Sequence, residues 1–190
     1  TDFAMYVTDV SVDAENVTVT VRVTNTGDTY SGKEVVQVYF SAPDGELEKP
    51  YQELAAFGKT DELAPGESQT LALSYNTTEM SSYSMEQAAY IMEAGDYVVR
   101  VGNSSRNTAV AAVVSLDETC TTEQLSNQMV QDEDMDVLSS EGVEPYSYEG
   151  EAEQIAAAPR FEIAAADVAY ADNASEYDDE SVVSYVYEDS

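Results

Sequence analysis

Histidine and tryptophan are absent from the 190 residues, and cysteine occurs once, at Cys120. Without His there is no imidazole to activate a nucleophile or to ligate zinc. Without Trp there is no indole platform for stacking on a sugar. A lone cysteine excludes an internal disulfide and a Cys-rich metal site. Cations are also scarce: Lys+Arg is 7 against Asp+Glu 38, a net charge of -31. Phosphate backbones are held by clustered Lys and Arg, so nucleic acid is excluded as a partner. An anionic membrane surface is excluded on the same ground. No apolar run approaches the roughly 20 residues of a membrane span, so the chain reads as soluble. Its opening, TDFAMYVTDV, has neither an initiator Met nor a basic, apolar leader, and reads as a cut from a longer polypeptide. The lack of disulfide chemistry favours the cytoplasm over an extracellular setting.

What is present is enough for a core: 43% of the residues are hydrophobic, and the length suits one domain with an extension. Residues 1–120 hold 19 acidic and 6 basic residues, whereas 121–190 hold 19 acidic and one basic, Arg160. Seven of nine Gly precede residue 120. These shifts set a boundary near 116–120, giving a domain over 1–116 and an acidic linker over 117–190.

The first part has period 2. VTVTVRVT over 17–24 alternates apolar and polar residues, as a strand with one buried face does. Further strands are expected near 5–12, 34–40, 70–75, 88–92, 97–101 and 109–114. Asn25-Thr26-Gly27-Asp28 is a turn in which Gly27 is expected to take positive φ. Pro65-Gly66 predicts a type II turn, and Gly95-Asp96 and Gly102-Asn103 predict two more. About seven short strands with such spacing predict an all-β, antiparallel sandwich of fibronectin III or immunoglobulin type. Val19, Val21, Val36, Val38, Leu71, Leu73, Val99 and Val101 are its expected inner-face residues. Tyr6, Tyr39, Tyr75 and Tyr97 fall in strand patterns and are expected to pack. Tyr51, Tyr83 and Tyr90 fall in predicted loops and suit a domain interface.

The second part is expected to be extended, with little regular structure. A short helix is predicted over 122–130, with Leu125 and Met129 on one face, and another over 151–158, ended by Pro159. So acidic a segment opposes its own compaction. Phe161, Ile163, Val168, Val182, Val183, Tyr185 and Tyr187 are nevertheless too apolar for a solvated tail. The expectation is a linker that docks these patches on a partner surface, either absent domains or the sandwich itself.

Several stretches, taken in order, resemble the fibronectin type III-like domain of family 3 glycoside hydrolases, the β-glucosidases, β-xylosidases and their relatives. They are Asn25-Thr-Gly27, Gly32-Lys-Glu-Val-Val-Gln-Val-Tyr39, Pro50, Glu53-Leu54, Phe57-Gly-Lys59, Leu63-Ala-Pro-Gly-Glu-Ser68 and Gly95-Asp-Tyr97 with Gly102-Asn-Ser-Ser105. Taken alone, each has a structural role as turn, core strand or, for Leu54 and Phe57, apolar anchor of a crossover. The resemblance covers about 1–116 and implies a non-catalytic accessory domain that braces catalytic domains of the same parent polypeptide. It also implies a parent activity on β-glycosidic bonds. Such enzymes resemble one another in an Asp nucleophile, a Glu acid/base and sugar-binding Lys-His and Ser-Asp-Trp elements. None of these can be placed on this sequence, which has neither His nor Trp. A free-standing β-sandwich binding carbohydrate or protein is the alternative reading, and an oligosaccharide at a domain interface is compatible with either.

No catalytic, cofactor or metal site is expected. A retaining glycosidase needs two carboxyls about 5–5.5 Å apart, one with its pKa raised by burial, whereas Glu133-Asp134 and Asp178-Asp179-Glu180 lie in polar runs. Asp132, Asp134 and Asp136 have the first spacings of a calcium loop, but its Gly and terminal Glu positions are occupied by Val137 and Val143. Four sequons, at Asn16, Asn76, Asn103 and Asn173, carry weight only in a secretory eukaryotic setting. Cys120 is expected to be an inert thiol.

Overall fold

The computed structural model describes residues 1–127 and 138–175. Its strands are β1 (Phe3–Val12), β2 (Asn16–Asn25), β3 (Val35–Ser41), β4 (Glu53–Lys59), β5 (Ser68–Asn76), β6 (Ser82–Ser84), β7 (Ala89–Met92), β8 (Gly95–Ser104), β9 (Asn107–Leu116) and β10 (Cys120–Gln124). A helix, α1 (Glu151–Ala157), and strands β11 (Arg160–Ile163) and β12 (Ala171–Asp172) follow. One sheet has the order β1-β2-β5; the other runs β11-β9-β8-β3-β4. The seven strands β1–β5, β8 and β9 form the expected sandwich. Val17, Val19, Val21 and Val23 of β2 face Val36, Val38 and Phe40 of β3 and Val99 and Val101 of β8 in one core. Of the expected inner residues, seven are buried; Leu71 is half-buried and packs against the core's rim.

Two strand assignments change. The stretch near 88–92 belongs to a separate small sheet, ordered β12-β10-β7-β6. The seventh sandwich strand is instead β4, which the sequence pattern places in a crossover. A β-bulge hides it: Val38 pairs with Ala56 and Tyr39 with Leu54, leaving Ala55 as the extra residue. Ala55 and Ala56 both pack on the core, while Leu54 and Phe57 both stand out on the far face. Period-2 alternation is thereby lost from the sequence, and neither Leu54 nor Phe57 anchors anything within the sandwich.

The turns divide similarly. Gly66 has φ 83° and Glu67 N–H donates to the Ala64 carbonyl at 2.9 Å, closing the expected type II turn. Gly27 is not in the left-handed region. It is small because a Cβ would lie 3.1 Å from Asp2 N and 3.2 Å from Asn25 Oδ1. Gly95 and Gly102 are not in turns between strands but lie within β8. At Gly102 a Cβ would come 1.8 Å from the Asn107 carbonyl oxygen, so only glycine allows the β8–β9 hairpin to close. Tyr39, Tyr75 and Tyr97 are buried, as expected, but Tyr6 is 69% exposed on β1.

The segment after Leu116 carries more regular structure than its composition predicts. Residues 122–124, the expected start of a helix over 122–130, belong instead to β10, whose backbone pairs with β7 from Cys120–Met92 to Gln124–Ala89. An available sheet edge satisfies its N–H and C=O groups, and the weak i, i+4 pattern cannot compete. Met129 and Val130 lie outside the described residues, as do 132–136, 178–180 and the apolar patch at 182–187. α1 matches its expected span. β11 pairs in parallel with β9, from Arg160–Val113 to Ile163–Leu116, and adds an edge strand to the sandwich. Ile163 enters the core, with Phe161 and Val168 against it. The sandwich itself is thus one surface on which the extension docks.

Candidate functional site: a charged seam under the extension

Two long segments, residues 42–52 between β3 and β4 and residues 138–157, meet over the outer face of the β3–β8–β9 sheet. At this seam Arg100 and Glu151 are buried and paired with each other. Arg100 lies mid-strand on β8 and is 2% exposed. Its Nε–H donates to Ser41 Oγ at 2.8 Å, and its Nη2 lies 2.7 Å from Glu151 Oε1. The Tyr51 ring covers the guanidinium at 4.8 Å, and the Tyr51 hydroxyl donates to the same Glu151 oxygen. Tyr146 meets Tyr51 edge-on at 4.8 Å, and its own ring carries the Arg106 guanidinium at 4.7 Å. Among the described residues Arg100 Nη1 is buried without a hydrogen-bond partner, so the tyrosine face beside the guanidinium is its compensation.

A second buried pair pins the 42–52 segment. Lys49 Nζ binds the Glu93 carboxylate, which also accepts the Glu46 N–H at 2.7 Å. Gly45 has no side chain because a Cβ would lie 2.4 Å from Glu93 Oε1. Glu48 accepts from the Ser140 N–H at 3.0 Å and from both the Ser139 and Ser140 hydroxyls at 2.9 Å, tying the loop to the extension. Beyond the seam, Gln154 Oε1 accepts the Val110 N–H at 3.1 Å, and Arg160 pairs with Asp96 at the surface.

The electrostatics suit holding rather than proton transfer. Burial works against ionisation of Glu151, but hydrogen bonds from Tyr51 and Ser147, with the Arg100 charge, outweigh it and lower its pKa. Burial of Glu93 is likewise outweighed by Lys49 and by the Glu46 and Leu47 N–H groups. A general acid needs the opposite shift. Burial and the Glu151 bond push the Tyr51 phenol well above its ordinary range. Burial, reinforced by the Asp117 charge, raises the Cys120 thiol, which opposes thiolate chemistry. Among the described residues no three His, Cys, Asp or Glu side chains converge as a metal site. No helix among them is long and apolar enough to cross a membrane.

Of the tyrosines expected at an interface, Tyr51 is central to the seam. Tyr83 and Tyr90 lie apart from it, on β6 and β7, as an edge-on pair with centroids 5.3 Å apart. Sequence reasoning missed Arg100 and Glu151. Arg100 interrupts an otherwise apolar run over 97–101, and that was its one visible signal.

The sandwich is a fibronectin type III-like domain: residues 34–105 match the family of that description. The domain is of the kind carried by β-glucosidases. The chain is 40% identical over 83 residues to a β-glucosidase of Kluyveromyces marxianus, covering 44% of this chain and 10% of that protein. It is 46% identical over 70 residues to β-glucosidase A of Butyrivibrio fibrisolvens, covering 37% and 8%. Among solved structures, a β-glucosidase from Paenibacillus barengoltzii superposes with TM-score 0.63 at 42% identity, over 66% of this chain and 15% of that one. β-Glucosidase 3B of Thermotoga neapolitana in complex with glucose does so with TM-score 0.59 at 42% identity, over 64% and 16%. The chain therefore spans about a tenth of the curated relatives it matches.

Proposed function

We propose that this chain is a non-catalytic accessory module, a fibronectin III-like sandwich with its extension, of a family 3 glycoside hydrolase acting on β-glycosidic bonds. The sandwich braces the catalytic domains of the same polypeptide, and the extension, clamped across it, carries the chain onward from a fixed point. The observation that carries this reading is the seam: Arg100, Tyr51 and Glu151 spend their charge and hydrogen bonds on holding 138–157 to the sheet. The matches to β-glucosidases, each over a small share of the whole enzyme, support the same reading. Carriage over 1–116 of an accessory domain, and over 117–190 of a linker partly fastened to it, is the division we infer.

The test is an assay of the purified chain with aryl β-glucosides and β-xylosides, alongside calorimetric titration with oligosaccharides. No turnover and no binding are expected. An open cleft of about 490 Å³ lined by Tyr90, Tyr170, Glu79, Glu123 and Asn173 favours the second reading, a carbohydrate-binding module. Micromolar oligosaccharide binding lost on Tyr90→Ala would establish it. Turnover abolished by replacing a single carboxylate would overturn the non-catalytic assignment.

A further inference from the structure

On the outer face of the five-stranded sheet, Leu54 of β4, Tyr39 of β3 and Arg100 of β8 lie side by side in one register row. Phe57, Gln37 and Gly102 form the next row. The extension covers the Arg100 end of this face. It leaves the β4 end open: Leu54 is 51% and Phe57 69% exposed. Both point outward only because of the bulge at Ala55, without which residues three apart would face opposite ways. Two large apolar side chains are thus aimed together at solvent on a strand that, among the described residues, pairs on one side only. Unpaired edges and grouped exposed apolar residues mark interaction surfaces.

We propose that this β4 face is the seat of a neighbouring domain of the same polypeptide, one that presents an apolar patch with a carboxylate beside it. The inference rests on the accessory-module reading and names the surface through which the bracing acts. Three observations select this occupant. The open patch continues directly from the row that the extension already covers, so one contiguous interface would result. Lys59 stands exposed on the same strand, two residues from Phe57 and on the same face, and supplies a cation for an acidic partner group. A second copy of the chain is disfavoured because each copy carries a net charge of -31. By contrast, about nine-tenths of each matched relative lies outside the aligned region and is available to cover the face.

Hydrogen exchange tests this by comparing the 190-residue chain with the longer polypeptide encoded by its gene. Amides over 53–59 are expected to exchange at least tenfold more slowly in the longer polypeptide. Phe57→Ser or Lys59→Glu should abolish that difference. Tyr6→Ser, an equally exposed aromatic on β1, should leave it intact. Circular dichroism of each variant in the 190-residue chain confirms folding, and either variant suffices if the other fails. Equal exchange in the two polypeptides, or no effect of both variants, would overturn the proposal. So would exchange in the short chain that slows with its own concentration, the mark of a second copy. Aryl β-glucoside hydrolysis measured on the same preparation reports separately on the accessory-module reading: activity without protection defeats only the docking surface, and protection without activity defeats only the enzyme assignment.

Discussion

Arg100 on β8 and Glu151 in the first turn of α1 meet at 2.7 Å, both buried, and join the sandwich to the segment that follows it. Surface ion pairs contribute little, but a buried pair with its lone pairs and protons largely satisfied resists the removal of either member. Glu151→Ala should cost about 3–5 kcal/mol, because it leaves the guanidinium buried and unmatched. Arg100→Met combined with Glu151→Ala should cost much less than the two single changes added together. Urea unfolding of the four proteins measures this, and strict additivity would mean that the two groups do not act as a pair.

The pH dependence has a defined sign. Glu151 and Glu93 have folded pKa values below their ordinary range. Their contribution is therefore complete above the unfolded carboxylate value of about 4.3 and is lost as pH falls through the lower folded values. Glu151→Gln should flatten the acid limb of stability, with remaining slope from Glu93, Asp96 and Glu48, whose carboxylate is lowered by its hydrogen bonds from Ser140 and Ser139. Asp96 is lowered first by the Ser115 hydroxyl and then, against partial burial, by Arg160. Glu53 shifts the other way, raised by burial, so Glu53→Gln should stabilise at pH 7. Thermal melts between pH 3 and 7 would detect both effects. A steeper acid limb in Glu151→Gln would contradict the assignment.

Leu73 and Gly58 face each other inside the sandwich. Leu73→Ala should cost about 2–5 kcal/mol through its cavity. A Cβ on Gly58 would lie 2.8 Å from Leu73 Cδ2, so Gly58→Ala should cost about 1–3 kcal/mol by overpacking. In the double variant the new methyl occupies vacated space, and its cost should fall below the sum by a coupling of about 1 kcal/mol. A loss under about 0.5 kcal/mol for Leu73→Ala would mean the inner face is misassigned.

Ile163 belongs to the core although it follows the sandwich in sequence. A chain ended at Leu116 should therefore be less stable than one ended at Ser175, since it loses Ile163, Phe161 and the β9–β11 ladder. Ile163→Ala in the whole chain should cost about 2–5 kcal/mol. Hydrogen exchange should find amides over 160–163 protected together with those of β9. Exchange at those amides as fast as in an unstructured peptide would show that the extension is not docked in solution.

Much of the sandwich was legible because its signals are local. Alternation along VTVTVRVT exposes one face to the core wherever the partner strand lies, and the Pro65-Gly66 pair accommodates its turn unaided. The signals failed where partners decide the outcome. β4 escaped because its bulge breaks the alternation that identifies strands. The helix expected from residue 122 gives way to the end of β10 because a short segment with a weak apolar period takes whatever hydrogen-bonding edge the fold provides. Gly27 does not take the positive φ expected of it; it is small because Asp2 approaches it from a distant part of the chain, as Glu93 approaches Gly45.

The sequence by itself determined the all-β class, most of the strands and the valine-rich core. These follow from composition and two-residue periodicity, which need no knowledge of what lies opposite. Tertiary structure alone decided that Arg100 would find Glu151, that Ile163 would complete the core, and that Leu54 and Phe57 would share an open face. Each of those outcomes depends on segments distant in sequence. Burying a charge or exposing a phenylalanine is favourable or costly only according to what the folded chain sets beside it.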